Sequence, residues 1–195
     1  MKIIVFSDMH EKEFLTSEFV NGEKKLAEKN GEKVIFVSLG DSELSDDFIK
    51  NHFQYYVKGL ADKDSQLPEL TTFDLTNDGK KFTFVLQHGS KLTVNKMDLL
   101  VDSKLPVIFK DFAHTHNLPT TDVCYLFGYT HMPTYVESAN NVFIVNPGSA
   151  FEPEFGSIPC FMILTFDEKL NKITNFKIKS TNILTDYDEQ IQVHI

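Results

Sequence analysis

Four times in this chain a short strand-like run, apolar or β-rich, stops at a polar cluster carrying a carboxylate or an imidazole. Residues 3–6 end in Ser7-Asp8-Met9-His10, residues 34–39 in Gly40-Asp41, residues 81–86 in Gln87-His88-Gly89, and residues 123–127 in Gly128-Tyr129-Thr130-His131. Continuous apolar runs of this length are the mark of strands buried on both faces, so other layers must pack on either side of them. In a parallel sheet flanked by helices, ligands gather beyond the carboxyl ends of the strands, where loops can aim side chains into one crevice. All four polar clusters stand at such an end. On extended backbone, residues i and i+2 point the same way, which lets Asp8 and His10 converge on one cation. Taken alone, the same pair also fits a helix-capping Asp and a surface His.

The segments between these runs alternate in type. Residues 13–29 spread Phe14, Phe19, Val20 and Leu26 among charges, an amphipathic helix interrupted by Gly22, and residues 45–51 repeat the pattern with Phe48 and Ile49 inward. A third strand is expected at 53–58. This strand–helix order predicts a parallel α/β start with right-handed crossovers. Residues 71–75 and 81–86 flank Asn77-Asp78-Gly79, which predicts an antiparallel hairpin. Helical segments interrupted by Pro106 are expected over 97–114. Strands at 134–136, 141–145, 160–166 and 172–179 suggest a second sheet, and the tail offers at most an edge strand at 191–195.

Composition bounds the class. The chain has 195 residues, 42% of them apolar and 24% charged, which suits one globular domain over residues 1–195. Its net charge of −9 argues against non-specific binding to nucleic acid, and a small anionic substrate needs a local remedy. All 19 basic residues are Lys, so no guanidinium fork is available to clamp phosphate, and lysines, backbone N–H groups or a metal must serve. Cys124 and Cys160 have neither a paired spacing nor a zinc pattern, as expected of two buried thiols in a reducing compartment. The opening apolar stretch is too short for a signal peptide and no run approaches a membrane span, so a cytoplasmic location is expected.

Six short motifs occur in series: Asp8-x-His10, Gly40-Asp41, Gly59-x-x-Asp62, His88-Gly89, Gly128-x-Thr130-His131 and Asn146-Pro147-Gly148-Ser149. In order, spacing and strand-end context the chain resembles, over residues 1–180, the calcineurin-like metallophosphoesterases, and most of all their small bacterial and archaeal phosphodiesterase branch. The resemblance implies an α/β fold, a two-sheet sandwich flanked by helices in four αββα layers. It also implies one or two divalent transition metals, Mn, Fe, Ni, Co or Zn, at the strand ends. One ion is held by the residues matching Asp8, His10, Asp41 and His131. The other shares Asp41 and takes the residue matching His88, an Asn in the Gly59 motif and the first His of a Gly-His-Thr-His motif. Such a centre suits phosphoester hydrolysis, because two cations can activate a water, neutralise the phosphoryl oxygens and stabilise the leaving oxygen.

This chain departs from that pattern. Leu60 stands where the Asn belongs and has no donor atom; Tyr129 replaces the first His, and its phenol, with an ordinary pKa of about 10, ligates weakly. Ala150 and Phe151 follow Ser149 where relatives often carry Arg. The expectation is a metal-dependent phosphoesterase of a phosphodiester or small phosphomonoester, with attenuated activity and a possible homo-oligomeric state. The alternative is a non-catalytic metal-binding or protein-interaction scaffold of the same fold, in the manner of a eukaryotic trafficking subunit. Tyr129 and Asp62 are candidate catalytic residues, although packing and strand-end bracing are competing roles for them. His114-Thr115-His116 has a ligand-like spacing but precedes its strand instead of following it, and His52 and His194 lack convergent partners.

Overall fold

The first strand decides the layering. In β1 (Lys2–Phe6), Ile3 and Val5 turn to one side and Ile4 and Phe6 to the other, and all four are buried. A strand buried on both faces must lie between two layers. The computed structural model, which describes residues 1–182, supplies them: two five-stranded sheets pack face to face, with helices outside, in the expected α/β sandwich.

α1 (Glu13–Asn30) carries Gly22 without breaking and ends at Gly31, whose left-handed backbone lets its N–H bond back to the last turn. β2 (Val34–Ser38) lies parallel to β1, with Ile3 opposite Ile35. α2 (Asp46–His52) starts at Ser45, whose hydroxyl accepts the Phe48 N–H. The third strand is shorter than expected: Phe53 and Val57 are buried, but only β3 (Tyr55–Tyr56) pairs with β2 before the chain turns toward Gly40.

β4 (Leu70–Asn77) and β5 (Lys80–Gln87) form the expected hairpin about Asp78-Gly79, both at positive φ, as a two-residue hairpin turn requires. Pro106 does not interrupt a helix. It occupies the first turn of α3 (Leu105–His116), where its missing N–H is not needed. β6 (Val123–Leu126) and β8 (Val142–Pro147) extend the second sheet parallel to β5, and β7 (Pro133–Ser138) closes its edge. The last-third strands do not all belong to that sheet. β9 (Cys160–Asp167) returns to lie antiparallel to β1, and β10 (Lys172–Ser180) pairs with it. The orders are therefore β10-β9-β1-β2-β3 and β4-β5-β6-β8-β7.

Val5, Val37, Phe84, Leu126, Phe143 and Met162 fill the space between the sheets. Val20 of α1 packs with Ile4, Phe6 and Phe36 on one outer face, and Phe109 of α3 with Val85 and Tyr125 on the other. Cys124 and Cys160 are buried free thiols; burial pushes the Cys160 thiol up to about 12 and raises that of Cys124 well above its ordinary value, so neither is a ready nucleophile. The edge strand expected at 191–195 lies outside the described residues. Among the described residues, no helix is long and apolar enough to cross a membrane.

Candidate metal centre

The strand-end loops of both sheets are tied to one another before any side chain is considered. Asp8 N–H donates to Gly40 O, Met9 and His10 N–H both donate to Asp41 O, and Glu11 N–H donates to Ser42 O, so the loop after β1 lies along the loop after β2. In the second sheet, Gly128 N–H donates to His88 O. The sheets meet at Gly128, where an added Cβ would lie 1.9 Å from Ser7 Oγ and 2.9 Å from Asp8 Oδ2. Only a residue without a side chain fits there. The Asn146-Pro147-Gly148-Ser149 turn locks the arrangement: Asn146 Nδ2 donates to Gly128 O and Thr130 Oγ1, and Ser149 Oγ to Asp8 O.

Asp8 and His10 do converge, but not by extended backbone. Their φ angles are 53° and 43°, and Asp41 and His131 are likewise left-handed at 46° and 58°. Non-glycine residues seldom adopt this conformation, although Asp and His tolerate it better than most, and it clusters where function demands it. Tight loop reversals, not strand geometry, aim these side chains.

Two groups of donors result. Asp8, His10 and His131 form one; Asp8, Asp41 and His88 form the other; within each, the potential ligand atoms lie within 4.8 Å of one another. Asp8 is common to both, whereas the sequence resemblance gives the shared position to Asp41. Each carboxylate has one oxygen held by a peptide N–H, Tyr129 to Asp8 Oδ2 at 3.2 Å and Ala61 to Asp41 Oδ1 at 2.7 Å. The other oxygen faces imidazole nitrogens: Asp8 Oδ1 is 3.1 Å from His131 Nε2, and Asp41 Oδ2 is 3.0 Å from His88 Nε2.

The second nitrogen of each ring is already committed. Nδ1 of His88 bonds to Leu39 O, and Nδ1 of His131 to Glu152 O, so in the neutral tautomer that donates these bonds Nε2 carries a lone pair toward the carboxylates. Asp8 Oδ1, His10 Nε2 and His88 Nε2 are buried without a well-directed hydrogen-bond partner. Buried polar atoms rarely go unpartnered, and lone pairs facing lone pairs call for a positive charge between them, a proton on the imidazole or a bound cation. The residues fit a divalent metal. The electrostatics agree: burial disfavours the Asp41 carboxylate, yet the neighbouring His88 ring, Ala61 N–H and His10 hold its pKa below the ordinary value. Burial opposes charging of His88 and His131, but Asp41 and Asp8 beside the former, and Asp8 and the Glu152 carbonyl beside the latter, raise both.

The sequence model for the calcineurin-like phosphoesterase superfamily domain matches residues 1–169. The chain belongs to this superfamily. Its fold is similar to that of a predicted phosphoesterase from Streptococcus pneumoniae TIGR4, with TM-score 0.62 and 19% identity over 92% of this chain and 97% of that one. It is also similar to the Zn²⁺-complexed Vps29 of Entamoeba histolytica, with TM-score 0.56 and 16% identity over 93% and 100% of the two chains. YfcE, a phosphoesterase from E. coli, gives TM-score 0.51 and 16% identity over 90% and 98%. No curated protein matches the sequence. Calcineurin-like phosphoesterases use divalent metals, and the two donor groups lie at the strand ends that this family membership predicts.

The positions that depart from the superfamily pattern have clear surroundings. Leu60 is 64% exposed and brings no donor to the centre. Tyr129 packs its ring edge-on to His88, with centroids 5.8 Å apart, and carries Lys96 Nζ 5.1 Å above its face. Asp62 is fully engaged elsewhere: it accepts from Ser42 N–H and Oγ, Glu43 N–H and Gly59 N–H, bracing two loops. His114 and His116 end α3 outside the donor groups, and His52 Nδ1 bonds to Phe48 O in α2. His194 lies outside the described residues. Sequence reasoning missed Lys96 and Glu154, whose ammonium and carboxylate pair at 3.0 Å, with Glu154 Oε1 also 3.7 Å from His131 Nδ1. Lys96 opens a single short 3₁₀ turn (Lys96–Leu100) and Glu154 lies in a loop, and neither stretch has a periodicity to mark it.

Proposed function

We propose that the chain is a metal-dependent phosphoesterase that hydrolyses a phosphodiester or a small phosphomonoester. The observation that carries this reading is the buried convergence of unpartnered Asp8 Oδ1, His10 Nε2 and His88 Nε2 at the strand ends. Asp8, His10 and His131 would hold one divalent cation, with Asp8, Asp41 and His88 offering a second, thinner set. Bound there, such a cation polarises a phosphoryl oxygen and acidifies a water.

The chain's own groups do the rest. The Tyr129 and Ala61 N–H groups keep the carboxylates turned toward the centre. Leu39 O and Glu152 O fix the tautomers of His88 and His131. Lys96, held by Glu154, lies over the face of Tyr129, whose ring packs edge-on to His88. With Leu60 and Tyr129 at two ligand positions, the second set has few donors, and activity is attenuated at low free metal. Two buried thiols are in keeping with a cytoplasmic setting.

The test combines metal content of the purified protein with hydrolysis of bis(4-nitrophenyl) phosphate across added Mn²⁺. Metal-dependent turnover abolished by Asp8→Asn supports the reading. Bound metal without turnover at saturating Mn²⁺ would instead favour a non-catalytic metal-binding scaffold, the reading that the donor-less Leu60 supports.

A further inference from the structure

A cleft of about 460 Å³ opens against the centre, with His88 and Gly89 in its wall. Its wall also takes in the loop after β3, with Lys58, Leu60 and Lys63, the Glu69–Lys91 pair, and the last turn of α3, with Phe112 and His116. Leu60 and Phe112 give the cleft apolar surface. The Phe112 ring is steadied by His116, whose ring lies 4.3 Å from it and whose Nδ1 bonds to Phe112 O. The His114-Thr115-His116 motif, unused by the metal centre, thus contributes to this wall.

Charge selects what enters. Asp62 is spent on its four donors, and Glu69 is paired with Lys91. Lys58 bonds to the Ser65 carbonyl and, behind Lys91, also helps lower the Glu69 pKa, and Lys63 makes no ion pair among the described residues, so the three lysines of the wall, Lys58, Lys63 and Lys91, outnumber its two carboxylates, Asp62 and Glu69, in a chain of net charge −9. The neighbouring hollow shares Asp62 and Lys63 with this cleft but adds Glu11, Glu43, Asp46 and Asp64, so it is acidic on balance and repels anions. An anionic group attached to a phosphorus at the centre is directed into the first cleft.

We infer that this cleft seats one ester substituent of the substrate. That substituent is a flat aromatic group bearing its own negative charge, its ring against Leu60 and Phe112 and its anion toward Lys58 and Lys63. On this assignment the leucine that removes a metal donor serves as part of a specificity surface. The inference rests on the phosphoesterase reading in placing the phosphorus beside His88.

The experiment uses phosphonates, which cannot be hydrolysed, so binding is read independently of turnover. Methylphosphonate, phenylphosphonate and 4-carboxyphenylphosphonate are titrated calorimetrically into the Mn²⁺-loaded protein. The carboxyphenyl compound is expected to bind about tenfold more tightly than the methyl compound, the scale of one buried aromatic contact with a charge pair. Leu60→Ser should remove most of the phenyl advantage, and Lys63→Gln most of the carboxylate advantage, each leaving methylphosphonate within about twofold. Both residues are exposed, so both variants should fold, and matching melting temperatures check this. Equal affinity for the methyl and aryl compounds, or variants that change nothing, overturns the subsite. Hydrolysis of bis(4-nitrophenyl) phosphate without aryl selectivity defeats the subsite alone; aryl selectivity without any hydrolysis defeats the phosphoesterase reading and leaves the subsite standing.

Discussion

Gly59→Ala should disable the metal centre without altering a single donor. A Cβ on Gly59 would lie 2.1 Å from Asp41 Oδ1, 2.5 Å from Asp41 N and 2.8 Å from Asp41 Cγ, distances that real contacts essentially never show below 3.0 Å. The carboxylate must retreat by roughly an ångström or the loop after β3 must lift away. Either movement breaks the Ala61 N–H bond to Asp41 Oδ1 and shifts Oδ2 relative to His88. Overpacking costs about 1–3 kcal/mol and a lost buried hydrogen bond a similar amount, so we expect roughly 3 kcal/mol of destabilisation. In a chain of this size that lowers the melting temperature by about 10 °C. A catalytic group misplaced by about 1 Å costs about a hundredfold in rate. Thermal melts, Mn²⁺ calorimetry and hydrolysis of bis(4-nitrophenyl) phosphate measure the three effects. Gly22→Ala is the control: its added Cβ meets nothing within 4 Å, and in mid-helix it should stabilise by about 0.5–1 kcal/mol. If Gly59→Ala melts with wild type and binds Mn²⁺ within twofold, the close approach has been misjudged.

Three further outcomes are expected. Asp8→Asn should weaken Mn²⁺ binding more than Asp41→Asn, and Asp41→Asn more than His88→Ala, because Asp8 stands in both donor groups and each Asn loses a charge; calorimetry giving the reverse order would reject this division of roles. Leu60→Asn combined with Tyr129→His should raise the hydrolysis rate at limiting Mn²⁺ by about a hundredfold, or roughly 2.7 kcal/mol, and exceed either single change; a double variant no faster than wild type would mean that Tyr129 serves a working centre as it is. Asp62→Ala strands four donors of two loops and should cost about 3 kcal/mol in urea denaturation, so a loss under about 1 kcal/mol would remove its bracing role.

Much of the frame was legible because burial on both faces leaves a clear mark. Residues 3–6, 34–38 and 123–126 are strands in the sequence and in the structure, and Asp78-Gly79 could only turn. Partner choice was not legible: β8 and β9 are equally apolar, and nothing local says that one joins β6 and the other β1. The donors were found because Asp and His at strand ends are chemically conspicuous. How they converge was not, since the left-handed backbone at Asp8, His10 and Asp41 is held by hydrogen bonds between loops distant in sequence. The role of Lys96 was hidden for the same reason; a lysine opening a short 3₁₀ turn looks like any solvated cation until Glu154 and Tyr129 are placed beside it.

The position of β1 in its sheet has a consequence for the order of events during synthesis. It lies between β2 and β9, so β1 leaves the ribosome with one ladder edge open until residues 160–167 exist to cover it. Ser149 and Ala150, which hold the backbone at Asp8 and Ser7, arrive equally late. The loop carrying Asp8 is therefore not held in its final place until this region has been translated. A chain stalled before residue 160 presents the apolar edge of Lys2–Phe6 to its neighbours, and an uncovered strand edge is a template for aggregation. The same strand that launches the loop to Asp8 thus carries an unpaired ladder edge through most of the chain's synthesis.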